Sequence, residues 1–63
     1  MKNIVVLRDN EGNNVYINTK YIMAYKYNRG HNETLVWMLT RPDHGASYPA
    51  DQTKQITQAM EDD

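Results

Sequence analysis

Cysteine is absent from this 63-residue chain, which excludes both disulfide staples and thiolate metal sites. No run of 18 apolar residues occurs, so the sequence offers no membrane-spanning helix. Lys2 is followed by only four apolar residues, Ile4 to Leu7, before Arg8-Asp9, too few for the apolar region of a signal peptide. Asn32-Glu33-Thr34 spells a glycosylation acceptor, but no secretory signal accompanies it. The expectation is an intracellular, cytoplasmic protein with no membrane partner.

The chemistry of catalysis is equally sparse. Gly12, Gly30 and Gly45 stand apart in separate predicted turns, so no glycine-rich phosphate loop is present. Two histidines, His31 and His44, lack a third ligand for zinc, and no metal or cofactor is expected. Asp43, His44 and Ser47 supply the residue types of a nucleophilic site. Asp43 and His44, however, are sequence neighbours in one tight turn, where their side chains diverge, and no oxyanion-hole motif follows. The reading is a non-enzymatic protein with no catalytic residues.

Sixty-three residues make one small domain, of a size that buries only about 60% of the surface its unfolded chain exposes. Without disulfides or a metal, the remaining supports are a very efficient core or self-association. Charge is nearly balanced, with 7 Lys plus Arg against 8 Asp plus Glu. Its distribution is uneven. Six basic residues face three acidic ones up to Arg41, whereas from Pro42 onward Lys54 alone opposes Asp43, Asp51, Glu61, Asp62 and Asp63.

What is present is β-forming. Residues 2–9 form an apolar, β-branched run around Ile4, Val5, Val6 and Leu7. Asp9 to Asn14 are turn formers, with Gly12 suited to positive φ, and 14–18 resume as a hairpin partner. After a break at Thr19-Lys20, residues 21–28 alternate, with Tyr21, Met23, Tyr25 and Tyr27 on one side. Residues 33–40 form the strongest strand, with Leu35, Trp37 and Leu39 on one face and Val36 and Met38 on the other. Arg41-Pro42-Asp43-His44-Gly45 reads as a turn, 46–48 as a short fifth strand. Residues 52–61 read as a helix with Asp51 as N-cap and a narrow apolar stripe of Ile56, Ala59 and Met60. The fold class is therefore mostly β (α+β): a curved antiparallel sheet or half-barrel of four to five strands with one short C-terminal helix.

The first and fourth strands are apolar on both faces, and one short helix covers only part of one sheet face. Three arrangements hide the surplus: a half-closed barrel, a homo-oligomer, or a dedicated partner. Tyrosines, a tryptophan and arginines are the residues that dominate protein interfaces. The same set, stacked and flanked by cations, also holds single-stranded nucleic acid. The candidate binding residues are Tyr21, Tyr25, Tyr27, Trp37, Arg29 and Arg41, and the candidate interface residues are Leu35, Trp37, Leu39 and Met23. Self-association and a protein partner are expected, with single-stranded nucleic acid or a nucleotide-like ligand as the alternative.

The order Ile4-Val5-Val6-Leu7, Gly12, Val15-Tyr16-Ile17-Asn18, Tyr21-Ile22 and Thr34-Leu35-Val36-Trp37-Met38-Leu39, then a short strand and a helix, resembles the FlbD-like small bacterial flagellar proteins. A similar strand order occurs in small β DNA-binding domains of the LytTR type and in short phage proteins that modulate a host factor. The resemblance implies the architecture and a non-enzymatic role, with no catalytic residue to carry over.

Overall fold

A computed structural model of the chain describes residues 3–61; Lys2, Asp62 and Asp63 lie outside the described residues. The chain runs β1 (Ile4–Arg8), β2 (Asn14–Asn18), a single 3-10 turn (Thr19–Tyr21), β3 (Ile22–Asn28), β4 (Glu33–Met38), β5 (Arg41–Pro49) and α1 (Thr53–Glu61). The strands form two antiparallel sheets, β1-β2 and β3-β4-β5, which do not close into a barrel.

Local chemistry fixes each connection. In the five-residue loop after β1, Asp9 Oδ1 accepts hydrogen bonds from the Glu11 and Asn13 amides at 2.9 and 2.8 Å, and Gly12 takes φ +83°. Asn18 ends β2 and caps the 3-10 turn, its Oδ1 accepting from Lys20 N at 3.0 Å. That turn carries the chain from the first sheet to the second. Between β3 and β4, Asn28 Oδ1 accepts from Gly30 N and Asn32 takes φ +49°, a conformation Asn tolerates better than most residues.

The β4–β5 connection differs from the sequence expectation. The chain reverses at Leu39-Thr40, with Met38 opposite Arg41, and the supposed turn at Arg41–Gly45 belongs to β5. Between the pairs Met38–Arg41 and Val36–Ala46, β5 carries four residues opposite Trp37 alone, so Pro42–Gly45 form a bulge. Pro42 is tolerated because β5 is an edge strand.

Val5 and Leu7 from β1, Ile17 from β2, Ile22 from β3, Val36 from β4, and Ile56 and Ala59 from α1 form the core, flanked by Val15, Tyr25, Met38, Tyr48 and Met60. The helix thus docks its apolar stripe into the space between the two sheets, the burial a helix this short needs to persist. Asp51 Oδ1 caps it, accepting from the Thr53 amide at 3.1 Å and the Thr53 hydroxyl at 2.6 Å. These bonds, the hydroxyl's first, lower the Asp51 pKa from its ordinary value.

One buried amide closes the corner between the sheets. Gln52 Oε1 accepts from Arg8 N at 2.8 Å, while Gln52 Nε2 donates to Arg8 O at 3.0 Å and to Pro49 O at 2.8 Å. The side chain occupies the place of a peptide unit between β1 and β5. Thr34, fully buried, supports it: its hydroxyl donates to Ala50 O and accepts from Gln52 N, both at 2.7 Å. Tyr48 lies at the same corner; burial first, and the Asp9 carboxylate second, raise its pKa.

Candidate interaction surface

Strand parity decides where the aromatic residues go. Opposite Met38 and Trp37, β3 carries Ile22 and Ala24 with Met23 extra between them, a bulge that reverses the alternation. Beyond it, Tyr25 pairs with buried Val36 and Tyr27 with buried Thr34, so both tyrosines lie on the core face. Tyr25 Oη is hydrogen-bonded to Thr57 Oγ1 of the helix at 2.6 Å, and Tyr27 Oη donates to Asn32 Oδ1 at 2.6 Å. Trp37 and Leu35 lie on the opposite, outward face with Ala24 and Lys26, and both are half-buried. Trp37 lies over Gly45, where a Cβ would come within 2.9 Å of its Cε2 and Nε1. The absent side chain gives the indole its seat.

The second cluster lies at the end of the three-stranded sheet nearest the β4–β5 turn. Leu39 N donates to Tyr21 O at 2.7 Å, which ties the turn to the start of β3. Met23 sits in the adjacent bulge, and Arg41 follows the turn opposite Met38. Tyr21, Met23 and Leu39 remain 52%, 47% and 55% exposed. Four of the sequence-selected residues therefore share one end of the sheet: Tyr21, Met23, Leu39 and Arg41. Arg29 is in the β3–β4 loop at the other end, separated from Arg41 by the length of β4, roughly 16 Å at strand rise.

Sequence reasoning passed over a third group. Ile4, Val6 and Tyr16 lie on the outward face of the β1-β2 sheet, 49%, 42% and 68% exposed, with Val6 directly opposite Tyr16. A signal for it was present in the two-sided apolar character of β1.

Elsewhere the described residues offer little chemistry. No group of three His, Cys, Asp or Glu side chains is placed to hold a metal ion among them. Ser47 Oγ donates to Glu33 Oε1 at 2.6 Å, while Asp43 and His44 are exposed on the β5 bulge. An open depression of about 280 Å³ on the exposed side of α1 is lined by Lys54, Thr57, Gln58 and Glu61 and has no histidine or aromatic wall. No helix among the described residues is long and apolar enough to cross a membrane. Compared with known proteins, the chain matches no family model, no curated protein and no solved structure.

Proposed function

We propose that this chain is a non-enzymatic interaction protein that self-associates and engages a protein partner through the Tyr21–Met23–Leu39–Arg41 end of its larger sheet. The observation that carries the reading is that three large apolar side chains stay about half exposed there, although seven buried residues already close the core. Tyr, Met and Arg are the types enriched at protein interfaces, and Arg41 supplies a charged rim. The alternative, a binder of single-stranded nucleic acid or a nucleotide-like ligand, has less support. A stacking surface needs its aromatics on one face beside cations. Here Tyr25 and Tyr27 turn to the core face, away from Trp37, and Arg29 and Arg41 stand at opposite ends.

The test compares wild type with the double variant Met23→Asp, Leu39→Asp as immobilised bait in extract from the native source. Both positions are exposed, so the variant should keep its thermal midpoint. A protein held by wild type and released by the variant supports the reading, and one held equally by both refutes it. Binding of a random single-stranded oligonucleotide that weakens steeply with salt would establish the alternative instead.

A further inference from the structure

Two sheets that do not close leave four strands with one unpaired edge each, and the four edges differ. The free edge of β1 is capped at Arg8, whose N–H and C=O are both bonded to the Gln52 side chain. The β3 edge is broken by the Met23 bulge and carries Lys26. The β5 edge carries Pro42, Asp43 and a four-residue bulge. Bulges, charges and proline are the devices that keep strand edges from pairing with another chain. β2 has none of them: Asn14-Val15-Tyr16-Ile17-Asn18 is regular along its length, uncharged and rich in β-branched and aromatic residues.

The order of those five residues identifies the occupant. Asn-Val-Tyr-Ile-Asn is nearly palindromic about Tyr16. Laid antiparallel against itself with Tyr16 opposite Tyr16, it places Asn14 opposite Asn18 and Val15 opposite Ile17. Every position then meets its own kind. Hydrogen-bond parity fits the same register. The Arg8 backbone groups point away from β2, so those of Asn14, its partner in the ladder, point away from β1, as do those of Tyr16 and the Asn18 N–H, while the Asn18 C=O already opens the 3-10 turn. These are the groups that a twofold-related β2 would meet.

We propose that β2 is a homodimer edge, pairing with β2 of a second copy around a twofold axis at Tyr16 to make one four-stranded sheet. This rests on the self-association in the functional reading and names its surface. Across the joint, the core-facing row Leu7–Val15 would continue into Ile17 and Val5 of the second copy, and the outward row Val6–Tyr16 into Tyr16 and Val6. Val15, only half-buried in the single chain, would gain an apolar neighbour. A joint of five residues a side falls well short of the roughly 20–30 residues a side of stable specific interfaces, so the dimer should dissociate on dilution. Growth stops at two copies, because the outermost strand is then β1 with its Gln52 cap.

Light scattering across a concentration series of wild type, Tyr16→Lys, Tyr16→Glu and an equimolar mixture of the variants tests this. Tyr16 is 68% exposed, so each variant should fold, which circular dichroism verifies. Wild type should approach twice 7.4 kDa as concentration rises, and the Tyr16 amide should exchange more slowly. Each variant alone should stay at monomer mass, since like charges meet directly across the axis. The mixture should regain dimer mass. A dimer indifferent to both substitutions, or a mixture that stays monomeric, overturns the β2 joint while leaving self-association intact. Wild type that is monomeric at every concentration overturns self-association itself, with the partner-binding patch still to be judged by the bait experiment.

Discussion

Replacing Gln52 tests whether one side chain holds the two sheets together. In Gln52→Ala, Arg8 N–H, Arg8 C=O and Pro49 C=O all lose their partner. Each such bond contributes about 1 kcal/mol net, and water entering at the strand ends recovers a part, so the expected loss is about 2–3 kcal/mol. For a chain of this length the total stability is only about 3–9 kcal/mol. At about 4–8 °C per kcal/mol, the thermal midpoint should fall by roughly 10–20 °C. Gln52→Glu sharpens the test because it preserves size. One carboxylate oxygen still accepts from Arg8 N, but the other faces two carbonyl oxygens. The variant should therefore be no more stable than Gln52→Ala at neutral pH. The same repulsion raises the new carboxyl's pKa in the fold, so its protonated form is favoured there. Stability is then present below the ordinary glutamate value of about 4.3 and lost as pH rises through the raised one. Urea titrations at neutral and acid pH measure both effects. A Gln52→Ala loss under about 0.5 kcal/mol, the range of ordinary surface changes, would refute the bridge. So would a Gln52→Glu variant equal to wild type at neutral pH.

Two further outcomes follow from other contacts. Gly45→Ala should push the indole of Trp37, the single tryptophan, off its seat, costing about 1–3 kcal/mol and shifting its emission to the red. Unchanged emission and stability would show that the ring does not rest there. The lowered pKa of Asp51 means that its capping contribution is present above the ordinary carboxylate range and fades as pH falls through the lowered value. The stability difference between wild type and Asp51→Asn should accordingly change with acidification, and a difference constant with pH would deny Asp51 that role.

The elements were legible where periodicity and turn chemistry agreed. The β1-β2 hairpin, the β3–β4 loop and the helix with its Ile56–Ala59 stripe all appear where side-chain types place them. Faces were harder. In β1, Ile4, Val5, Val6 and Leu7 are equally apolar, so nothing in composition says that Val5 and Leu7 go inward. In β3, strict alternation puts Tyr21, Met23, Tyr25 and Tyr27 together, and one extra residue at Met23 divides them. No residue type announces such a bulge, since it depends on register with β4. Pro42, Asp43 and Gly45 signalled a turn because they suit one, yet the chain reverses two residues earlier, at Leu39-Thr40, which carries no turn signal. Nothing in the sequence sets Gln52 apart from any other polar residue at the start of the helix read over 52–61. Its role depends on Arg8, which lies 44 positions away.

That separation also orders events in time. The hairpin loops span five residues before β2, four before β4 and two before β5, so each pair can close quickly and independently. Joining Arg8 to Gln52 instead closes a loop of 44 positions that spans every strand after β1. A contact of that kind is expected to form late on the folding path, beyond the transition state. Its loss should therefore accelerate unfolding and leave refolding near the wild-type rate. A slowed refolding limb for Gln52→Ala would instead place this corner in the nucleus. The amide is in effect a latch: it sets how long the assembled chain stays shut, while the hairpins set how fast it is built.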